Sequence, residues 1–165
     1  MIRVLVSACL LGEKVRHDGR DAASSHPVVR RWLDEGRVVR FCPEVAGGLG
    51  VPRPPAEIVD GRVRTQDGRD VTAGFDTGAR LALGAAQTQN ARVAVLKEGS
   101  PSCGTHRISD GSFTGRKIEG RGVTAALLER HGIRVFSEDE IEEAAEYLRG
   151  LENHGATMHG AHGER

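Results

Sequence analysis

Ile2-Arg-Val-Leu-Val-Ser7, running straight into Ala8-Cys-Leu-Leu-Gly12, is the stretch on which the fold turns. A short β-branched run that stops at a loop of small residues reads as a strand buried on both faces, as inside a parallel sheet. The pattern returns along the chain. Val38–Cys42 (VVRFC) is a second such run, ending at Pro43; Arg92–Lys97 (RVAVLK) is a third and Ile133–Phe136 (IRVF) a fourth. Helical patterns lie between them. Val28, Val29, Trp32 and Leu33 follow His26-Pro27 on one face of a short helix stopped by Gly36. Phe75, Ala79, Ala82 and Ala86 mark a helix from about Thr72 to Gln89, with the Thr72 hydroxyl as its expected cap. Val123–Arg130 is a further helix before His131-Gly132. Ser137-Glu-Asp-Glu140 is a capping box opening a last one, with Ile141, Ala144, Ala145 and Leu148 on its apolar face. The alternation predicts an α/β fold: a single-domain Rossmann-like sandwich with a four-stranded parallel sheet, right-handed crossovers and strand order 2-1-3-4. Glu57–Thr65 (EIVDGRVRT) adds a small β-hairpin insertion turning at Asp60-Gly61. The Gly/Pro-rich stretch before it, GGLGVPRPP at 47–55, suits neither helix nor central strand.

The 165 residues fit one ordinary domain, assigned to residues 1–151. The His/Gly-rich segment 152–165, carrying His154, His159 and His162, has no core-forming pattern and is expected to be disordered. Lys plus Arg and Asp plus Glu number 23 each, so the formal net charge is zero, which argues against a dedicated nucleic-acid binder. No apolar run approaches the roughly 20 residues of a membrane span. One early Arg and no polar spacer make the amino-terminal run a first strand rather than a signal peptide. The expected location is therefore the cytoplasm, where thiols stay reduced. Three cysteines exclude a complete disulfide framework by arithmetic.

Those cysteines are far apart in sequence but coincide on the strand map. Cys9 lies just past the first strand, Cys42 ends the second, and Cys103 follows the third. The carboxyl ends of parallel strands share one edge, where open α/β folds place ligands. Neighbouring strands are about 4.8 Å apart, so the three thiols are expected to converge. Cysteines that merely fill a core fall inside apolar runs, and Cys9 and Cys103 do not. Three thiolates without a fourth suggest a metal centre with an open position. His17 or His106 would close it into a Cys3His zinc site. An iron–sulfur cluster held by three ligands would instead leave one iron free as a Lewis acid. Spacing leaves zinc and iron–sulfur both open. A cysteine phosphatase loop, with five residues between Cys and Arg, is not matched by Cys9 and Arg16 or by Cys103 and Arg107.

Five blocks occur in one order: Val6-Ser-Ala-Cys-Leu-Leu-Gly12, Cys42-Pro-Glu-Val-Ala-Gly-Gly48, Pro52-Arg-Pro-Pro-Ala-Glu57, Ser100-Pro-Ser-Cys-Gly104 and Gly122-Val-Thr-Ala-Ala-Leu127. Together they closely resemble a bacterial family labelled domain of unknown function 523, whose characterised members are thiouracil desulfurases (2-thiouracil desulfidases). The resemblance runs from the first strand to about Leu148. It implies a 4Fe-4S cluster held by Cys9, Cys42 and Cys103, with one iron lacking a protein ligand. It implies an enzyme performing non-redox desulfuration of a thiolated pyrimidine, 2- or 4-thiouracil to uracil, with water as the other reactant and sulfur leaving on the open iron as hydrosulfide. Glu44 and Ser100 match the positions assigned to proton transfer and substrate handling. A carboxylate two residues from a cluster ligand is well placed to take a proton from attacking water. Three thiolates make the centre net negative, so Lys97, Arg53 and Arg16 are expected beside it.

The chain departs from the family at two positions. His17 stands where members often carry Tyr, and the loop Ile108-Ser-Asp-Gly-Ser112 has Ser109 in place of a common aromatic. Such aromatics would stack on a pyrimidine, so these replacements bear on specificity more than on chemistry. The alternatives are a thiolated nucleoside, nucleotide or tRNA base as substrate, or a non-catalytic metal- or cluster-binding sensor. The neutral charge disfavours polymeric RNA without excluding it.

Overall fold

The computed structural model describes residues 1–163, with side chains described through His154. Strand β1 (Arg3–Ser7) runs into a 3-10 turn (Ala8–Leu11) and is followed by helix α1 (Pro27–Asp34), strand β2 (Val38–Phe41) and the short helix α2 (Pro43–Ala46). A hairpin, β3 (Ala56–Val59) and β4 (Arg62–Thr65), precedes helix α3 (Thr72–Thr88) and strand β5 (Ala91–Leu96). A second hairpin, β6 (Arg107–Ser109) and β7 (Lys117–Glu119), leads to helix α4 (Val123–Arg130) and strand β8 (Arg134–Ser137). A 3-10 turn (Glu138–Glu140) then opens helix α5 (Ile141–Gly163).

The main sheet is parallel with order β2-β1-β5-β8, the order expected for the four strand patterns. Successive side chains of a strand point to opposite faces, which is why these strands are apolar throughout. Val4, Val6, Val93 and Val95 pack against Val29 and Trp32 of α1 and against Ile141, Ala144 and Leu148 of α5. Leu5, Val39, Ala94 and Leu96 pack on the other face against Ala82 and Ala86 of α3 and Ala125 and Leu128 of α4. The Asp60-Gly61 turn closes the first hairpin with both residues at positive φ, 51° and 76°, the conformation a primed turn demands.

Four details differ from the sequence expectation. The Thr72 hydroxyl does not cap α3: Asp70 Oδ1 accepts the Thr72 amide at 2.9 Å, and Thr72 Oγ1 accepts from the Val63 amide at 2.8 Å, tying the helix start to β4. Strand β8 begins one residue later than its apolar run. The segment Ile108–Ser112, read as a loop, begins inside β6 and leads on to β7; these strands are too short, and β7 too exposed, to leave a hydrophobic pattern. The boundary expected at residue 152 falls inside α5, because Leu151 packs on the core and Glu152 Oε2 lies 3.2 Å from Arg37 Nη1. The side chains of His159 and His162 lie outside the described residues. Among the described residues no helix is long and apolar enough to cross a membrane.

Candidate active site

Three loops leave the carboxyl edge of the sheet, and each carries one cysteine. After β1 the chain tightens into the 3-10 turn bearing Cys9, closed by Gly12 at φ 93° with its amide on the carbonyls of Ala8 and Cys9. Cys42 is the residue from which α2 starts, with Pro43 at the first helical position, where a missing N–H costs nothing. Helix α2 rests on α3 at van der Waals limits: a Cβ on Gly78 would stand 2.0 Å from the Pro43 carbonyl oxygen. The third loop, after β5, is folded around Glu98. Its Oε1 accepts from the amides of Gly99, Thr105, His106 and Arg107 at 2.8–3.1 Å. The same loop docks on the start of α4, whose Val123 and Thr124 amides donate to the carbonyls of Pro101 and Ser102. Gly122 permits that approach, since a Cβ there would fall 2.4 Å from the Ser102 carbonyl.

The three loops enclose one cavity of about 360 Å³, lined by Cys9, Cys42 and Cys103 together with Glu44 and Ser100. All three cysteines are free thiols. Burial, then the neighbouring Cys42, pushes the Cys9 thiol up to about 11. Burial also raises Cys42, against backbone amides that favour its thiolate, and raises Cys103 furthest. A neutral buried thiol is the resting form when nothing positive compensates the thiolate. The compensation is built into the wall: Lys97 and Arg16 favour ionisation of Cys9, and Arg53 that of Cys42. Among the described residues no three His, Cys, Asp or Glu side chains are grouped to hold a single metal ion. The three thiols line one space, and thiolate ligands suit zinc and iron–sulfur centres alike.

A scan of the chain against protein families matches residues 4–140 to the model described as 2-thiouracil desulfurase. The chain belongs to the 2-thiouracil desulfurase family. Among solved structures it is similar to the 4Fe-4S-dependent thiouracil desulfidase TudS, with 53% sequence identity and a TM-score of 0.89, covering 90% of this chain and 99% of that one. Among curated proteins it is 44% identical over 150 residues to YbbK of Bacillus subtilis (strain 168), an uncharacterised protein, across 85% of this chain and 98% of the relative.

In this desulfurase-family chain Glu44 sits one residue inside α2, with its side chain 17% exposed. Arg53, 6% exposed, holds Glu44 Oε2 at 3.1 Å and also donates to the carbonyls of Gly50 and Val15. Glu44 Oε1 has no hydrogen bond from the described residues and is the oxygen left for the cavity. Ser100 Oγ accepts from the amides of Ser102 and Cys103, both at 2.9 Å. Two amides occupy the lone pairs of a hydroxyl, so Ser100 retains its proton as a donor and has no capacity left as a base.

Lys97, Arg16, Arg53, His17 and Ser109 all border the cavity. His106 does not: it is exposed, its Nε2 lies 2.8 Å from Glu140 Oε1, and it lines the adjoining groove instead, so it is no fourth ligand. Sequence reasoning missed Glu98, Ser7 and Phe41. Glu98 and Ser7 are polar residues at the ends of apolar strands, a signal that was available. Phe41 contributes the aromatic surface of the cavity from the position before Cys42 and passed as an ordinary strand residue.

Proposed function

We propose that the protein is a 4Fe-4S-dependent thiouracil desulfidase, converting a thiolated pyrimidine and water to the oxo-pyrimidine and hydrogen sulfide without net redox change. The observation that carries this reading is three cysteines from three strand ends facing one cavity beside Glu44, in a chain of the 2-thiouracil desulfurase family. Cys9, Cys42 and Cys103 would hold the cluster through three irons, leaving the fourth without a protein ligand. When bound, the cluster supplies a thiophilic Lewis acid for the thiocarbonyl sulfur.

The chain's own residues account for the rest. Water adding to the ring carbon loses a proton, and Glu44 Oε1 takes it while Arg53 fixes the opposite oxygen. The Ser100 hydroxyl donates to a substrate heteroatom and orients the ring. Phe41 and His17 offer the flat surfaces against which a pyrimidine lies. Lys97, held by Glu138 at 2.7 Å, keeps positive charge at the cavity, where departing sulfide is anionic. Three free thiols suit the reducing cytoplasm.

A second reading, a substrate that also carries ribose and phosphate, has one observation in its favour. Lys117 borders both this cavity and an adjoining groove lined by Arg107 and Arg121. Anaerobically reconstituted protein should release sulfide from 2- or 4-thiouracil, from the corresponding nucleoside, or from its 5′-monophosphate; the panel ranks the two readings. A cluster-loaded protein that releases none from any of them would instead be a sensor.

A further inference from the structure

Ser7 ends β1 at the cavity wall and is 3% exposed. Parallel pairing of β1 with β5 sets Val6 opposite Val95, which brings the Ser7 hydroxyl to the backbone where β5 ends. Ser7 Oγ accepts from the Lys97 amide at 3.0 Å and lies 3.7 Å from Cys103 Sγ. A hydroxyl has one proton, and an amide can only donate. The Ser7 proton must therefore go to another acceptor, and the Cys103 sulfur is the one in reach.

The three sulfurs are unequal in this respect. Backbone amides of Val45 and Glu44 reach the Cys42 sulfur, and the Ser7 hydroxyl reaches that of Cys103. Among the described residues no donor reaches Cys9 Sγ. Neither the family resemblance nor the sequence pattern gives Ser7 a role.

We propose that Ser7 is a positioning residue that acts through Cys103: its proton on the Cys103 sulfur orients that ligand and sets the reduction potential of the bound cluster. This rests on the reading of Cys103 as a cluster ligand. A hydrogen bond to a ligating sulfur draws off negative charge and favours the reduced, more negative cluster, so its loss lowers the potential.

The test is a redox titration of cluster-loaded protein followed by electron paramagnetic resonance, with iron and acid-labile sulfide counted in each sample. Ser7→Ala should load as the wild type does and show a potential shifted to lower values. Ser7→Thr, which keeps the hydroxyl, should restore it. Ser102→Ala is the control: Ser102 is fully buried beside Cys103 in the chain, but its hydroxyl is engaged with Thr124 at 2.8 Å, so its removal should leave the potential unchanged. A loaded Ser7→Ala protein with the wild-type potential overturns the inference, as does an equal shift in Ser102→Ala. Wild-type protein that takes up no iron and sulfide overturns the cluster reading, and this inference with it. Should Ser7→Ala not fold, Ser7→Cys carries the test: its weaker S–H donor predicts a smaller shift in the same direction, and an unshifted potential there is equally fatal.

Discussion

Replacing Gly78 by alanine probes how tightly the fold holds the Cys42 side of the cavity. Gly78 lies in the middle of α3, and the added Cβ would stand 2.0 Å from the Pro43 carbonyl oxygen. Carbon–oxygen contacts settle at about 3.3 Å, so the α2 backbone must retreat by more than about 1 Å. Pro43 has Cys42 on one side and Glu44 on the other, so that retreat moves a thiol and a carboxylate together. Overpacking of this kind costs about 1–3 kcal/mol, which for a chain of this length lowers Tm by roughly 2–12 °C. A displacement of about 1 Å in reacting groups costs on the order of 100-fold in rate. Gly84 on the same helix is the internal control, because a Cβ there meets nothing within 4 Å. Gly84→Ala should gain about 0.8–1 kcal/mol of helix propensity and keep full activity. Circular dichroism melts and sulfide release on both variants decide the matter. Gly78→Ala melting with the wild type and turning over at its rate would refute the packing argument.

Three further outcomes are expected. Glu44→Gln should slow sulfide release by about 10²–10⁴-fold with iron and sulfide content unchanged, and a variant at the wild-type rate removes Glu44 from proton transfer. Burial opposes ionisation of Glu98, but the amides of Arg107, His106, Thr105 and Gly99 prevail and hold its carboxyl below the ordinary 4.5. The folded pKa is depressed, so this contribution to stability is present above the unfolded value and lost as pH falls through the folded one. Chemical denaturation from about pH 6 down to pH 3 should show a shallower loss for Glu98→Gln than for the wild type, and equal slopes would sink the claim. Protein stripped of iron by a chelator should keep its far-ultraviolet circular dichroism and a cooperative melt; an unfolded spectrum would mean that the cluster builds the fold.

The four main strands and the five motif blocks, three of them carrying a cysteine, were legible because each reports a strong local constraint. A strand with both faces covered must be apolar throughout, and Val4–Val6 and Val93–Leu96 are. Strand order followed from chain connectivity, and with it the shared edge for Cys9, Cys42 and Cys103. What stayed hidden depends on contacts distant in sequence. Thr72 looked like a cap because Ser and Thr often are, yet its hydroxyl found the Val63 amide of a neighbouring hairpin. Hairpin β6–β7 has strands of three residues each and buries only Ile108, so no period marks it. His106 and His17 are equally plausible ligands in sequence, and only the fold sends one toward Glu140 and the other toward the cavity. Glu98 stood out only as a polar residue at a strand end; its partners are backbone amides, which no side-chain pattern announces.

Each thiol is held from its own direction by bonds that do not involve sulfur. Gly12 and its two carbonyl contacts fix the Cys9 turn, glycine-mediated packing of α2 on α3 fixes Cys42, and Glu98 with the start of α4 fixes the Cys103 loop. The two hydrophobic faces of the sheet supply the rigidity behind all three. In a small metal-built domain the ligands are ordered only as the metal binds, and binding free energy becomes folding free energy. Here hydrogen bonds and close packing hold the three loops, so a group bound by the three thiols would need little of its binding energy to shape the site. Preorganisation of this kind explains the otherwise odd distribution of motif residues. Gly122, Thr124 and Pro43 touch no reacting atom, yet each stands where a loop bearing a cysteine meets a helix. The blocks around the cysteines are thus the struts of a tripod as much as its feet, and the spread of the thiols is a property of the α/β scaffold itself.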